Sequence, residues 1–208
     1  MSDGLIEGSD GICRCWWGQN LTDYNEYHDR EWGVPTIDDR KIFEKICLEG
    51  FQAGLSWLTI LRKRDAFRER FYNFKIGEII NNTPNEIELL MKDTCIIRHE
   101  GKIRSVLNNA IMARKLIDER GSLAKYFWSH EPDEEKNEQM FSYQVLSKRS
   151  KSVISEQISK DLKRRGWSFV GPTTIYSFMQ SIGMVNDHVI GCHRREAIKQ
   201  LRLEFVRP

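Results

Sequence analysis

The feature that most constrains the fold is a set of four potential metal ligands, two near each end of the chain. Cys15 and His28 lie near the start of the 208 residues, and His188 and Cys192 lie near the finish. A His and a Cys four residues apart project from the same side of a helix, so both can reach one ion. A closed, tetrahedral zinc site would be structural and would tie the two ends together. The alternative is four unconnected residues in a reduced protein.

Cysteine usage and hydropathy indicate a reducing compartment. The chain has five cysteines, an odd number, and Cys47 and Cys95 lie within apolar patterns. Free thiols, some of them binding a metal, fit this usage better than a disulfide framework. The chain lacks the roughly 18 unbroken apolar residues of a membrane-spanning helix, and its start is polar and acidic. We therefore expect a cytoplasmic protein that has no membrane partner.

Apolar spacing along most of the chain has the helical period, and sustained strand-type alternation is nearly absent. Short separators and the lack of an internal repeat indicate compact helix-to-helix connections. The expected fold class is all-α. We predict helices over the following segments: 37–48, 55–71, 84–92, 100–118, 143–147, 152–165 and 173–182.

The length and a hydrophobic content of 40% suit one or two closely packed domains with a real core. We interpret the acidic run from Glu131 to Glu138 as an exposed loop. It would separate a middle helical bundle, about 36–128, from a C-terminal region, about 143–195, that joins the N-terminal segment 13–35. Residues 13–200 would then form a single unit, with flexible ends at 1–12 and 201–208.

Glu49 carries the strongest chemical signal. On a helix it shares one stripe with Ile42, Ile46 and Ala53, so a carboxylate interrupts a face that would otherwise pack inward. A buried, ionised Glu needs a positive charge or several hydrogen-bond donors, and a helix C-terminus disfavours it further. The alternative is that Glu49 caps backbone groups near Gly50 or leans into solvent.

Aromatic residues are dense around Glu49 in the sequence. Four of the six tryptophans lie in the first 57 residues, within this set: Trp16, Trp17, Tyr24, Tyr27, Trp32, Phe43, Phe51 and Trp57. Aromatic residues usually form core. Rings around one carboxylate are also what a flat, cationic, methylated heterocycle needs, because ring faces attract the cation and the carboxylate accepts hydrogen bonds. The pattern points to an alkylated base.

Residues 162–174 predict a helix, a tight hairpin and a second helix. The hairpin contains residues that permit unusual backbone angles or that begin a helix: Gly166, Gly171, Pro172, Thr173 and Thr174. Such a hairpin presents backbone amides to an anion, and DNA phosphate is the natural candidate. Positive charges stand beside it at Lys163, Arg164 and Arg165. An ordinary glycine turn between solvated helices is the alternative, since the net charge of +2 does not itself indicate a nucleic-acid partner.

Several segments carry a family resemblance, in this order along the chain: HDREWGVP from His28, LEGFQAGLSW from Leu48, IIRH from Ile96, FVGPTT from Phe169 and VNDHV from Val185. They resemble the type I 3-methyladenine DNA glycosylase family. The match runs from about Cys15 to Cys192 and leaves only the ends and the acidic loop uncovered.

The resemblance implies a monofunctional base-excision enzyme of the helix-hairpin-helix glycosylase superfamily. We expect a monomer that acts on alkylated double-stranded DNA without a small-molecule cofactor. The resemblance implies one structural Zn²⁺ ion held by Cys15, His28, His188 and Cys192. It also implies that Glu49 is the catalytic residue and that the base pocket consists of Tyr24, Tyr27, Trp32, Glu49 and Trp57.

Two neighbouring residues are alternative candidates for the metal ligands. Cys13 or His193 could replace Cys15 or His188 in a local rearrangement. The spacing of Cys15 to His28 matches the family, and this favours Cys15.

Two departures from the superfamily bear on mechanism. Members with lyase activity carry a lysine where this chain has Thr173, so we expect no Schiff base. Many members have an aspartate where this chain has Asn186, and Asp187 could replace it only through a register shift that would disturb His188. The usual catalytic acid is therefore expected to be absent.

A missing acid suits this substrate. A 3-methyladenine base is already cationic in the nucleotide and leaves neutral when its bond to the sugar breaks. We expect the enzyme to flip the nucleotide out, stack the base between rings such as Trp57 and Tyr27, and read its Watson–Crick edge with Glu49, after which water attacks the sugar. One alternative is a glycosylase that also accepts 3-methylguanine. Another is a non-catalytic, zinc-stabilised DNA-binding or alkylation-damage-sensing protein.

Overall fold

The fold is mostly helical, as expected. The computed structural model describes residues 3–133 and 137–208 and contains these helices: α1 Thr22–Arg30, α2 Asp39–Gln52, α3 Trp57–Arg62, α4 Arg64–Arg70, α5 Ile76–Asn82, α6 Ile87–Lys92, α7 Glu100–Arg120, α8 Leu123–Trp128, α9 Tyr143–Leu146, α10 Val153–Arg164, α11 Pro172–Ser181 and α12 Arg195–Glu204. Two short strands, β1 Leu5–Glu7 and β2 Cys13–Cys15, pair antiparallel with Leu5 opposite Cys15. No helix among the described residues is both long and apolar enough to span a bilayer.

Helix α2 is the centre of the fold and packs against both α7 and α11. It begins at Asp38, whose carboxylate accepts hydrogen bonds from the amides of Arg40 and Lys41. Its last carbonyls are bound by Lys102 of α7, whose Nζ lies 2.9 Å from the Phe51 oxygen. A cation at this position also complements the negative end of the helix. Helix α2 therefore continues past the predicted end at residue 48, and Glu49 lies inside it.

The single helix predicted over 55–71 is divided into α3 and α4. Ser56 caps α3 by accepting the amide of Thr59, and the break falls at Lys63. The ammonium of Lys63 donates to the carbonyls of Thr94 and Cys95, which ties the break to the loop before α7. The division lets α3 place Trp57 over α2 while α4 packs its apolar side into the core.

A cluster of phenylalanine rings lies at the junction of α2 and α4. Phe51 and Phe67 have ring centroids 4.4 Å apart, and Phe71 lies within 6.0 Å of both Phe51 and Phe74. All four side chains are almost fully buried. Full burial of one such side chain contributes on the order of 2 kcal/mol to folding. This packing fixes the C-terminal half of α2, which carries Glu49.

Both ends of the chain carry secondary structure where we predicted flexible segments. Strand β1 pairs with β2, and α12 reaches Glu204. The loop predicted to be exposed also contributes contacts, because the half-buried Glu131 accepts hydrogen bonds from Arg202 and Arg207. Residues 1–2 of the N-terminal end and 134–136 of that acidic loop lie outside the described residues.

Candidate active site and metal centre

The four potential ligands from the two ends of the chain meet in one buried group. Their ligand atoms all lie within 4.8 Å of one another. Cys192 Sγ is 3.4 Å from both His28 Nε2 and His188 Nδ1, and Cys15 Sγ is 3.7 Å from His188 Nδ1. The group can hold a metal ion, and an ion there would join β2 and α1 to the segment before α12.

The structure corrects the predicted geometry of the later pair. His188 and Cys192 do not lie on a helix; they flank a turn in which the Cys192 amide donates to the Val189 carbonyl at 3.0 Å. The turn needs Gly191, whose φ is +88° and where a Cβ would lie 2.7 Å from Leu5. The turn therefore brings the two ligand atoms together without helical spacing.

In each imidazole ring, the nitrogen that faces away from the cysteines also has a hydrogen-bond partner. His28 Nδ1 lies 2.8 Å from an Asp29 carboxylate oxygen, and His188 Nε2 lies 3.3 Å from the Trp32 carbonyl. Each ring therefore turns its other nitrogen towards the cysteines. An imidazole with one nitrogen committed to a carboxylate or carbonyl is the usual arrangement around protein-bound metals.

Cys13 and His193 do not join this group. His193 Nε2 instead contacts the Asp29 carboxylate at 2.8 Å. Asp29 is also bound by the guanidinium of Arg14, which lies between the two N-terminal cysteines. Within the described residues, Cys13 belongs to no group of potential ligands.

Glu49 is buried, with 5% of its surface exposed. Burial raises the pKa of its carboxyl to about 8, and Lys45, one turn earlier on α2, acts in the opposite direction. Burial also raises the pKa of the Tyr27 phenol, and the nearby Glu49 charge adds to that effect. Among the described residues no hydrogen bond or ion pair satisfies the Glu49 carboxylate. A capping role near Gly50 and a solvent-facing side chain are therefore both excluded.

Aromatic side chains from three segments pack around Tyr27, the residue whose pKa the Glu49 charge raises. Tyr27 of α1 and Trp57 of α3 have ring centroids 5.3 Å apart, with their planes at 46°. Trp17 was not assigned to the site from the sequence. Its ring packs against those of Tyr24, Tyr27 and Trp32, with ring centroids 4.8–6.2 Å apart. The indole N–H groups of Trp17 and Trp57 are buried and have no hydrogen-bond partner in the described part of the chain. A density of tryptophans was the only sequence signal for Trp17.

The two other predicted pocket residues support neighbouring elements. The Tyr24 hydroxyl accepts the Leu58 amide at 3.0 Å and so fixes the start of α3. Trp32 packs edge-on against His188, with ring centroids 4.6 Å apart. Trp32 thus connects the aromatic cluster to the metal group.

A cavity of about 370 Å³ opens beside Tyr27 and Trp57. Its wall also includes Lys45 and Leu48 of α2. Glu49 follows Leu48 but does not line this cavity. The cavity therefore ends short of the Glu49 side chain.

The hairpin between α10 and α11 is held by two neighbouring asparagines of α7. Asn109, which is buried, donates to the Ser168 carbonyl and accepts from the Ser168 amide, both at 2.9 Å. Asn108 donates to the Gly166 carbonyl at 2.8 Å. Gly166 has a φ of +92°, which only glycine adopts readily. The hairpin shape is therefore set by side chains as well as by its own turn.

Phe169 places the hairpin next to the candidate pocket. Its φ of +56° is unusual for a bulky residue and marks a conformation held by its surroundings. A Cβ added at Gly50 would lie 3.3 Å from the Phe169 side chain, so hairpin and α2 are in close contact. The residue before Gly50 is Glu49, so the predicted phosphate site and the predicted base site are neighbours.

The start of α11 is free to bind an anion. Gly171 is its N-cap, and no side chain caps this helix end. Thr173 and Thr174 follow Pro172 in the first turn, and Thr173 is exposed. Uncapped amides at a helix N-terminus form a natural phosphate site.

The three neighbouring basic residues differ in their environments. Lys163 is exposed, and no partner of its ammonium is found in the described part of the chain. Arg164 pairs with Asp161, and Arg165 lies within 2.6 Å of both Asp161 and Glu119. Glu119 is ten residues along α7 from Asn109, about 15 Å away. Arg165 is thus drawn away from the hairpin tip by structural ion pairs.

The segment before the metal ligands offers no free carboxylate. Asn186 donates to the Arg195 carbonyl at 3.0 Å. Asp187 is buried and accepts hydrogen bonds from Tyr176 at 2.5 Å and from Gln180 at 2.8 Å. The Asp187 carboxylate is committed to α11, so a register shift does not bring it to the pocket.

Comparisons with known proteins agree with this geometry. The methyladenine glycosylase family matches residues 16–195. DNA-3-methyladenine glycosylase 1 of Escherichia coli (strain K12) is 43% identical over 183 residues, which cover 86% of this chain and 95% of that protein. The DNA-3-methyladenine glycosylase of Haemophilus influenzae is 41% identical over 183 residues, covering 86% and 96%.

Solved structures give the same result. A structure of 3-methyladenine DNA glycosylase I from Staphylococcus aureus, solved to show how that enzyme recognises 3-methyladenine, superposes with a TM-score of 0.78. It is 33% identical in sequence, and the match covers 86% of this chain and 95% of that chain. The family match over residues 16–195 includes the aromatic cluster, the hairpin and three of the four potential metal ligands, His28, His188 and Cys192. The chain therefore belongs to the methyladenine glycosylase family.

Proposed function

We propose that this protein is a monofunctional DNA glycosylase that excises 3-methyladenine from alkylated duplex DNA. The observation that carries the proposal is Glu49, a buried carboxylate with no hydrogen-bond or ion-pair partner among the described residues. Its helix contacts both α3, which carries Trp57, and the hairpin suited to DNA phosphate. Relatives at 41–43% identity are named for this activity. The product would be an abasic site, which initiates base excision repair.

Charge complementarity explains the choice of substrate. The buried Glu49 carboxyl has a pKa of about 8, so holding it ionised at neutral pH costs free energy. A cationic base at hydrogen-bond distance favours the ionised form and recovers part of that cost. Undamaged adenine is neutral and cannot do so. Aromatic faces add to this preference, because they also attract cations.

Bond cleavage needs little from the protein beyond this pocket. The alkylated base leaves as a neutral molecule, so no proton has to be supplied to it. Asn186 and Asp187 are both committed to structural hydrogen bonds, which agrees with the lack of a general acid. The Glu49 carboxylate would stabilise positive charge on the sugar as the bond breaks. Thr173 in place of the lyase lysine supports hydrolysis without a Schiff base.

Admission of the base requires a rearrangement of two rings. A base stacked between Tyr27 and Trp57 needs their planes about 7 Å apart, twice a contact of about 3.5 Å. The observed centroid separation is 5.3 Å. Trp57 begins α3 and is only half-buried, whereas Tyr27 is almost fully buried. We expect Trp57 to move, and its unpartnered indole N–H is available to donate to the ligand.

The metal group is proposed to hold one structural Zn²⁺ ion. Tetrahedral zinc with bonds of about 2.0–2.3 Å places its ligands about 3.3–3.8 Å apart. The sulfur-to-nitrogen distances of 3.4, 3.4 and 3.7 Å fit this range. Two cysteines and two histidines leave no position for water or substrate, so the ion would stabilise the fold and take no part in excision.

DNA would bind across the hairpin. The amides at Gly171, Thr173 and Thr174 and the exposed Lys163 are proposed to contact phosphates. Gly166 would act by shaping the turn, and Arg164 and Arg165 by supporting α10. A monomer is sufficient, because each proposed site is built from one chain. We also propose a cytoplasmic location, which the five free cysteines support.

The test is to identify the bases released when the purified protein acts on methylated duplex DNA. Chromatography should show 3-methyladenine and a matching number of abasic sites, with no borohydride-trapped protein–DNA cross-link. Release of 3-methylguanine as well would define a broader range. Specific binding to methylated DNA without release of any base would overturn the proposal in favour of a damage-sensing protein.

A further inference from the structure

Lys45 is a charged residue that the proposed chemistry does not yet use. It lies on α2 one turn before Glu49, so the two side chains share a face of the helix. Its ammonium lies 5.8 Å from the centroid of the Tyr27 ring. Lys45 also lines the cavity beside Tyr27 and Trp57. Lys45 therefore lies beside the Tyr27 ring and one helical turn from the candidate catalytic carboxylate.

Lys45 has no hydrogen bond or ion pair among the described residues. The acids nearest to it are already engaged. Glu31 of α1 pairs with Arg64 of α4 at 2.7 Å, and Glu44 of α2 pairs with Arg68 at 2.8 Å. Glu49 is left as the carboxylate without a cation of its own.

Among the described residues, Lys45 is the one cation that acts on the pKa of Glu49. Lys102 of α7 lies at the C-terminal end of α2, where it donates to the carbonyls of Phe51 and Ala53. Arg64 is held by Glu31, and Tyr27 carries no charge near neutral pH. The positive end of the α2 macrodipole lies at the opposite terminus, so the helix itself opposes ionisation of Glu49. Lys45 is therefore the charged group placed to favour it.

We propose, on the basis of the proposed function, that Lys45 is a positioning residue that favours the ionised form of the Glu49 carboxylate, the form that receives a cationic base. Burial lowers the pKa of the Lys45 ammonium, while Glu31 and Glu49 oppose that fall. The same interaction lowers the pKa of Glu49 against the effect of its burial. Lys45 thus acts through Glu49 and need not touch the base.

Lys45 also opposes binding of the base, and this effect gives the proposal a pH dependence that a structural role would not produce. Its ammonium repels a cationic base in the same pocket. Removing it should therefore reduce excision at pH values where Glu49 becomes protonated. At higher pH, where Glu49 is ionised in any case, removal should leave excision unchanged or increase it. A purely structural defect would lower activity by the same factor at every pH.

The experiment compares Lys45→Met, Lys45→Arg and wild type by the pH profile of kcat/KM for 3-methyladenine release. An opposite charge nearby changes a carboxyl pKa by roughly one unit or more. We expect the acid limb of Lys45→Met to move to higher pH by about one unit, a loss of up to about tenfold relative to its own plateau. Lys45→Arg should keep the wild-type limb. Lys115→Met, which removes an exposed charge on α7, is the matched control.

Carbon-13 NMR of labelled glutamate provides a readout independent of catalysis. The Glu49 side-chain signal, assigned by its loss in Glu49→Gln, should titrate at higher pH in Lys45→Met than in wild type. An unmoved limb together with an unmoved titration would overturn the inference even if 3-methyladenine is released. If wild type releases no base, the proposed function fails, and the NMR titration still decides whether Lys45 controls Glu49.

Discussion

Replacing Glu49 by Gln should stabilise the folded protein even though it impairs the proposed activity. The carboxyl has a pKa of 4.5 in an unfolded chain and of about 8 in the folded protein. A raised acid pKa means that the folded state binds more protons between these two values, so stability falls as pH rises through that range. The Gln side chain has nearly the same shape as protonated Glu and escapes this loss.

The size of the effect follows from the two pKa values. Each pH unit between them is worth about 1.4 kcal/mol, so burial of ionised Glu49 costs at most about 5 kcal/mol. The buried Gln amide also loses hydration, and we therefore expect a gain of roughly 2–3 kcal/mol above pH 8. For a chain of this length that corresponds to a rise in Tm of roughly 5–10 °C. The gain should vanish below about pH 4.5, where both states carry a protonated carboxyl.

Thermal melts followed by circular dichroism between pH 5 and 9 would measure this difference. Glu44→Gln is the matched control, because Glu44 is equally buried on α2 but is bound by Arg40 and Arg68. That substitution should lower Tm, since it removes the buried carboxylate to which both arginines are bound. A Tm for Glu49→Gln equal to or below that of wild type at pH 8.5 would refute the conclusion that burial disfavours the ionised form of Glu49.

Three other predictions concern the surrounding structure. Asn109→Ala should lower stability by roughly 2–4 kcal/mol, because the Ser168 amide and carbonyl lose their partner; an unchanged denaturation midpoint would contradict this. Cys192→Ser should abolish metal retention and Cys13→Ser should not, as elemental analysis would show; the reverse result would reassign the ligands. Lys163→Ala should weaken DNA binding about equally across sequences and reduce its salt dependence, whereas Arg165→Ala should chiefly lower Tm. Equal DNA-binding defects in these last two variants would contradict the roles given to them.

Local sequence patterns predicted the elements that they determine directly. Helices α10 and α11 were expected at 152–165 and 173–182, and in the structure they begin where Ser152 caps the first helix and Pro172 opens the second. Helix α1 was missed, since its buried face consists of Tyr24, Tyr27 and His28 in an otherwise polar segment. Helices α5, α8 and α12 were also missed. They are short or strongly polar, and tertiary contacts decide whether such segments become helical.

The site was only partly accessible from sequence. Glu49 could be found because a carboxylate interrupts an apolar stripe, and the four metal ligands could be found because their residue types are few. The contacts of Lys45 and Trp17 depend on how α1, α2 and α3 pack together. The pairing of Arg165 with Glu119 spans 46 residues. Charge clusters in a sequence do not show which members are already neutralised by distant partners.

The most direct test of the central claim is single-turnover release of 3-methyladenine by Glu49→Gln, with enzyme in excess over methylated duplex DNA. We predict that excision falls by roughly 100-fold or more, as for loss of other electrostatic contacts to a transition state. Metal content should be unchanged, and Tm above pH 8 should be raised. Excision near the wild-type rate would show that recognition of the cationic base does not depend on the buried carboxylate.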